Sequence, residues 1–471
     1  MTIDDIQDAI KAARTDNLVP GRKLLLQKPW PSETQPPILA KLAELARAVG
    51  ELDTQIFILQ RLVEITPEQP ENHFTLGLAL RQKGKQKEGR KHLEKAYKGN
   101  PQHPDIAYVW CQALEEDQRY EAALRVARRA NDNFPDQPDW LSLTGDLLTH
   151  LGRLREAVQH YNRALRLQPG DPAISFNASQ AVFQLGQWGD AWTLYDYRLI
   201  LRDPATRPET TAKLWSVGES IRGKSILVWQ EQGFGDAIMM LRFLPVLIEE
   251  GADVHLLLNG QLTDLVASQY PDITVHNQRQ PPPKTDLQIP IMSIPRRLGL
   301  EHPDQLTGEA YLSVEPSELL PKGNTQKIGL VWAGNPNHPD DHRRSLSPAL
   351  FEPLLELPGH SWYSFQIGRH EWAENHPQIT DLRPQLKTFQ QTAEYLSQMD
   401  LVISVDTAVA HLAGALGIPV HLLLDYAPDW RWPRTGTSTT WYEKHRIWRQ
   451  ASPGDWEKVG ERMSILRIDG D

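Results

Sequence analysis

Proline returns every 34 residues through the first half of this chain, at Pro67, Pro101, Pro135 and Pro169. A fixed period of this length belongs to pairs of short helices stacked unit upon unit, each burying its apolar face against the next. Other columns keep the register. Gly50, Gly84, Gly152 and Gly186 fall where the two helices of a unit would turn, and Gly77 and Gly145 fall within first helices. Ala123, Ala157 and Ala191 form one small-residue column of the second helix, and Ala96, Ala130 and Ala164 another. Small residues let paired helices approach closely, and proline ends each unit because it cannot continue a helix.

The register has gaps. Gln118 and Cys111 replace the turn glycine and the first-helix small residue of the third unit. Gln55 and Leu62 replace both alanines of the first clear unit, and Arg198 replaces the last, as in a terminal repeat. The period predicts about five units between 36 and 202, with a less regular helical start over 2–30.

The chain has 471 residues and a net charge of −10. That length needs more than one domain, and the acidic balance argues against general nucleic-acid binding. The single cysteine, Cys111, excludes an intrachain disulfide framework and a cysteine-based zinc cluster. The opening MTIDDIQDAIKAARTDN lacks a basic stretch followed by an apolar core, and no apolar run reaches the ~18 residues of a spanning helix. The expectation is a cytoplasmic protein without a transmembrane segment. Most of its 15 tryptophans read as core or interface anchors.

Near residue 203 the text changes. RDPATRPETTAKLWSVGES has no helical stripe and reads as a linker over 203–222. Apolar β-rich runs then alternate with amphipathic ones. SILVW, ADVHLLLN, ITVHN and DLQIPIMS read as strands, and a second series starts at KIGLVWAGNP and ends in DLVISVDTAVAHLAGALGIPVHLLL. Such alternation predicts parallel α/β sheets, here two Rossmann-like domains over 223–318 and 319–454. A helix over 455–466 is expected to open a C-terminal segment, 455–471, that packs back on the first of them. QRQPPPK at 278–284 reads as a rigid surface loop, with a ligand for a proline-recognition domain as the alternative.

Three segments can carry chemistry. In GFGDAIM, Gly233 and Gly235 permit close backbone approach, and Ile238 stands where a dinucleotide fingerprint needs its third glycine. Asp236 follows a strand, where open α/β sheets bind ligands. It can serve as a general base or simply cap the helix, and spacing alone does not separate the two. In VDTAVAHLAGALG, Asp406 and Thr407 sit at a turn whose N–H groups, at 407–409, make a diphosphate site. His411 falls one turn on, where histidines are more often structural than catalytic. GNPNHPDDHRRSLSP gathers Asn335, Asn337, His338, His342, Arg343 and Arg344 in one polar loop. An arginine pair suits diphosphate oxygens; the bland alternative is a solvated loop. Its adjacent His and Asp residues are weak evidence for a metal.

Together these segments carry a resemblance. Residues 223–468 resemble glycosyltransferase family 9, the heptosyltransferase-like enzymes of GT-B architecture, through GFGDAIM, GLVWAGNP and above all SVDTAVAHLAGALGIPV. The 34-residue period resembles tetratricopeptide repeats. The order of parts is similar to that of O-GlcNAc transferases and of bacterial protein glycosyltransferases. The resemblance implies metal-independent, inverting transfer of a sugar from a nucleotide-sugar, a co-substrate in place of any cofactor. It implies Asp236 as acceptor base and Arg343 or Arg344 as the cation on the leaving diphosphate. Gly233, Gly235, Asn335, Asp406, Thr407 and Ala408 would lie at the donor, with His411 supporting the turn. Heptosyltransferases usually present a lysine where this chain has Arg343–Arg344, which leaves the donor open.

The expected architecture is therefore an all-α tetratricopeptide solenoid over 1–202 followed by a GT-B unit of two Rossmann-like domains. The function expected is a glycosyltransferase acting on a protein or peptide presented by the repeats. Two alternatives stand beside it: a scaffold that binds nucleotide-sugar without turnover, and a transferase acting on a lipid-linked glycan or polysaccharide.

Overall fold

The structure is a computed structural model that describes residues 2–26, 35–315 and 318–465. The chain divides into two compact units, with the boundary between Leu147 and Leu148.

The first unit is helical throughout its described residues. Two short helices, Ile3–Ala13 and Val19–Leu25, precede the pairs Pro36–Ala48 with Leu52–Ile65, Pro70–Gln82 with Gln86–Gly99, and Pro104–Glu116 with Tyr120–Asn133. The next helix, Pro138–His150, crosses the boundary. First helices are 13 residues long and second helices 14. Each first helix opens on a proline, and Pro36, Pro70, Pro104, Pro138 and Pro172 form a second 34-residue column. Proline suits that position because its fixed φ is helical and its missing N–H would have had no partner there.

The turn column is set by backbone sign. Gly50, Gly84, Gly152 and Gly186 have φ between +72° and +84°, and Gln118 takes the same left-handed conformation at +57°. One residue later the chain closes back on the helix: Lys85 N–H donates to Leu80 O at 2.9 Å and Arg119 N–H to Leu114 O at 2.8 Å, as in a Schellman end. Within the pair 70–99, a Cβ on Gly77 would lie 2.9 Å from Leu93 Cδ2 and 3.0 Å from Gly89 O, so small residues set the helix spacing.

The second unit begins with the helices Leu154–Leu167, Pro172–Gln184, Trp188–Tyr195 and Arg198–Leu201. Two sheets follow. The first holds β1 (Lys213–Leu214), β2 (Ser225–Trp229), β3 (Asp253–Leu258), β4 (Thr274–Asn277) and β5 (Leu287–Pro290), in the order β1-β5-β2-β3-β4. The second holds β6 (Gln326–Val331), β7 (His360–Ser364), β8 (Ile379–Asp381), β9 (Leu401–Val405), β10 (Val420–Leu424) and β11 (His445–Arg449), in the order β11-β10-β9-β6-β7-β8. Every described strand pair is parallel. The order of connection reverses beside β2 in the first sheet and between β6 and β9 in the second. Crevices open at such switch points, beyond the carboxyl ends of the strands. The three candidate segments leave β2, β6 and β9 at those ends.

Two expectations need correction. The stretch read as a linker to 222 enters the first sheet earlier: β1 pairs with β5, and Trp215 and Ile221 are buried. Two residues, both exposed, are too short a strand to show alternation, so only the pairing with β5 reveals it. The C-terminal helix, Trp456–Ile465, does not pack on the first α/β domain within the described residues. Val459 and Met463 join Ile328, Leu330 and Trp448 of the second sheet, and a Cβ on Gly460 would lie 2.7 Å from Leu350 Cδ1. The cause is a short tether. Gln450 Oε1 accepts the N–H of Tyr426 at 3.1 Å and of Gly454 at 3.0 Å, which keeps the chain beside the sheet it has just left. Residues 466–471 of that expected segment lie outside the described residues.

Candidate active site

Beyond β2 the chain turns at Gly233, the N-cap of helix Phe234–Met240. Asp236 is therefore the third helical residue rather than the cap. Its Oδ2 reaches back to accept the Gly233 N–H at 3.0 Å. Its Oδ1 is paired with Arg431, which arrives from the loop beyond β10. Arg431 also holds Asp429 at 2.6 Å and lies 4.5 Å over the ring of Trp430. Arg431 is 9% exposed and Asp236 21%, so the pair sits at the edge of solvent.

Beyond β9, Thr407 caps helix Ala408–Ala415 through an extended backbone, with no side-chain bond to the first N–H groups. The Ser404 and Thr407 hydroxyls meet at 3.1 Å. Helix Ala408–Ala415 then packs directly on helix Phe234–Met240. A Cβ on Gly235 would lie 2.7 Å from His411 Cδ2 and 3.4 Å from Ala408 Cα. The glycine is what lets the segment bearing Asp236 and the turn bearing Asp406 share one crevice.

His411 is buried. Its Nδ1 lies 2.9 Å from the Tyr442 hydroxyl and its ring stacks on Trp432. Burial, helped by the cations Arg431, Arg242 and Arg344 and by His445, drives its pKa well below the usual value, so it is a neutral support at physiological pH. Burial acts oppositely on Asp406, pushing its pKa up to about 6 against the pull of Arg344 and Arg431. Arg344 Nη1 stands 3.7 Å from Asp406 Oδ2, and His411 Nε2 3.7 Å from Oδ1. Both are longer than hydrogen bonds; the first is an ionic contact, the second the approach of a neutral ring.

The loop after β6 is shaped around Asp341. This buried carboxylate takes Arg369 at 2.7 Å and the Ser345 hydroxyl at 2.9 Å, and Ser345 Oγ accepts the Gly334 N–H at 3.1 Å. The loop separates its two arginines. Arg344 points to Asp406, whereas Arg343 is 10% exposed, 2.7 Å from Asp340 and 3.5 Å from Asp425 at the end of β10. Asn335 is exposed, and its side chain accepts the Asn337 N–H at 3.0 Å, which shapes the loop. Among the described residues no group of three or more His, Cys, Asp or Glu side chains is arranged to hold a metal ion.

The structure thus brings Gly233, Gly235, Asp236, Arg344, Asp406, Thr407, Ala408 and His411 together, sets Arg343 toward Asp425, and adds Arg431. The sequence reading missed Arg431. Its signal was the WRWPR text, where an arginine between two tryptophans is marked for partial burial and for pairing.

Repeating helix pairs joined to two parallel sheets, with facing glycine and Asp-Thr turns at the sheet switch points, define a repeat-bearing α/β protein of GT-B type. Family comparisons are more specific. The tetratricopeptide repeat model matches residues 108–172 and 145–200, and the model of anaphase-promoting complex, cyclosome, subunit 3 matches 49–130. The glycosyltransferase family 9 (heptosyltransferase) model matches 364–449, which contains Asp406, Thr407, Ala408, His411 and Arg431 but neither Asp236 nor Arg344. The chain carries tetratricopeptide repeats in its N-terminal region and a glycosyltransferase family 9 domain in its C-terminal region.

Protein FlbA of Caulobacter vibrioides is 25% identical over 492 residues, covering 92% of this chain and 78% of that protein. Among solved structures, the MamA protein is similar over 35% of this chain and 90% of its own, at 18% identity and a TM-score of 0.33. YrrB, described as a tetratricopeptide-repeat protein with an unusual peptide-binding site, is similar over 36% of this chain and 88% of its own, at 19% identity and a TM-score of 0.33.

Proposed function

We propose that this protein transfers a sugar from a nucleotide-sugar to an acceptor hydroxyl, by a metal-independent, inverting displacement. The observation that carries the reading is the contact of Gly235 with His411 and Ala408, which sets a carboxylate, a helix start without a side-chain cap bond and two arginines around one crevice. The acceptor oxygen attacks the anomeric carbon as its proton passes to Asp236. The bond from that carbon to the diphosphate breaks, and its electron pair leaves with the diphosphate. Charge then grows on the phosphate oxygens, where Arg344 and the N–H groups of the Thr407–Ala408 turn are already oriented. Neutral His411 adds no charge and braces the turn. Asn335 shapes the loop over the donor, and Arg343 acts on the same loop through Asp340 and Asp425.

The acceptor is a protein or peptide laid along the helical repeats, whose stacked surfaces suit extended partners. The experiment is a panel of nucleotide-sugars tested for thermal stabilisation of the full chain, for release of nucleoside diphosphate and for transfer to candidate protein acceptors. Stabilisation by one donor with its slow hydrolysis supports the reading; indifference to every donor refutes it.

One observation favours a second reading, binding without turnover. Asp236 is already ion-paired with Arg431, so its Oδ1 is occupied and meets an acceptor hydroxyl only once the arginine turns elsewhere. Donor binding without any hydrolysis or transfer would decide for it.

A further inference from the structure

The last helix pair before the sheets touches both sides of the crevice. On the side of the second sheet, Phe183 stacks on Trp430 at 4.0 Å and 20°, while Trp192 and Tyr195 meet the same indole edge-on at 5.3 and 5.7 Å. Gln184 donates to the carbonyl of Pro428 at 3.3 Å. Trp430 is the immediate neighbour of Arg431 and lies under its guanidinium. On the side of the first sheet, the Tyr195 hydroxyl and the Gln232 side chain lie within 3.0 Å, one residue before the Gly233 cap. Arg198 forms a buried pair with Glu231 at 2.6 Å. One pair of helices, with Arg198 at the start of the short helix that follows it, therefore grips the chain next to Arg431 and, separately, the chain leading to Asp236.

Apolar packing alone would not need both grips. The aromatic box around Trp430 fixes an otherwise irregular loop, since these three rings leave an indole little rotational freedom. The Arg198–Glu231 pair is buried and the Tyr195–Gln232 contact part-buried, so their geometry is narrow: displacement leaves the desolvated Arg198, Glu231 and Tyr195 groups without these partners. We propose that helices Pro172–Gln184 and Trp188–Tyr195 are a positioning element of the active site, with Phe183 and Tyr195 as positioning residues that hold Arg431 and Asp236 in register. Its effect on turnover rests on the glycosyltransferase reading; its effect on the geometry does not.

The test uses the full chain. In Phe183→Ala, amide exchange should rise about tenfold in peptides covering 228–240 and 426–434 and stay unchanged over the distant strands 360–381. Tyr195→Phe, which deletes one hydroxyl and keeps the ring, should raise exchange at 228–240 alone. With a nucleotide-sugar from the panel, Phe183→Ala should lower turnover more than about tenfold and leave the affinity for the matching nucleoside diphosphate within about threefold. Trp430→Ala should behave in the same way, and Trp430→Phe, which still stacks, should recover most of the rate. Unchanged exchange at both peptides in Phe183→Ala overturns the proposal, as does global loss of protection in place of the local pattern with no effect in Tyr195→Phe. A wild-type chain that binds no donor overturns the transferase reading instead, and the exchange pattern still decides the positioning role.

Discussion

Gly235 and His411 touch with no room for a side chain between them, the ring carbon standing 2.7 Å from where a Cβ would sit. The ring cannot yield easily, because Tyr442 holds its Nδ1 and Trp432 covers its face. Gly235→Ala should therefore push the two helices apart, costing about 1–3 kcal/mol of stability as overpacking does. It should also abolish donor-dependent thermal stabilisation. A variant that melts and binds like the wild type would show that the contact opens freely.

Asp236→Asn separates catalysis from capping. The amide oxygen can still accept the Gly233 N–H, but the proton acceptor is gone. Turnover should fall by roughly two to four orders of magnitude with donor affinity nearly unchanged, as read from initial rates and titration. If the carboxylate only closes the helix start, Asn should serve almost as well and the rate should survive.

The adjacent arginines should part company. Arg344→Ala removes the cation facing Asp406 and should weaken nucleoside-diphosphate binding about 10–100-fold, the worth of a charge-assisted contact. Arg343→Ala leaves the buried Asp425 without its nearby guanidinium, so its effect should appear first in thermal stability. Equal loss of nucleotide affinity in both variants, measured calorimetrically, would contradict the split.

Asp406 predicts a pH signature. Its carboxyl ionises near 3.8 in the unfolded chain and near 6 in the folded one, because burial disfavours the charge. Between those values the folded state holds a proton that the unfolded state lacks. This group's contribution to stability therefore falls as pH rises from about 4 to about 6, by about 2–3 kcal/mol, and is level above. The stability difference between wild type and Asp406→Asn should change across that window and stay flat from pH 7 to 8. Donor affinity should also rise as pH drops through 6, when the carboxylate no longer repels the diphosphate. A pH-independent difference would remove Asp406 from the buried titrating groups.

Gln118 stands in a left-handed turn that its neighbours in register fill with glycine. The Cβ penalty there exceeds the extra chain entropy of glycine, so Gln118→Gly should stabilise the repeats by about 0.5–1 kcal/mol. Urea unfolding followed by helical circular dichroism reads this directly, and a loss of stability would contradict it.

The helical half was legible because its rules are local. A left-handed turn asks for glycine, a helix start tolerates proline, and both recur in phase. The second proline column, Pro36 to Pro172, is equally regular and marks the start of each first helix. Strands β2, β3 and β9 stood out as apolar runs, whereas β1 and β8 are two and three residues long and carry no period. The site was half legible. GFGD and DTAVAH announced their turns, but nothing near Asp236 names a partner 195 residues away. Pairing of that kind is decided by which sheet ends face each other. The C-terminal helix was misplaced for a related reason: its apolar stripe fits either sheet, and only the short Gln450 tether decides between them.

The boundary at 147/148 bears on how the chain can be divided. A joint there leaves Phe183, Tyr195 and Arg198 on the same segment as Trp430 and Asp236. A change that lengthens, shortens or replaces the array upstream of that joint would leave the final helix pair with the sheets. Chimaeras spliced before residue 148 should keep the crevice intact, whereas those spliced at 203 would inherit a crevice whose two sides have lost their common brace.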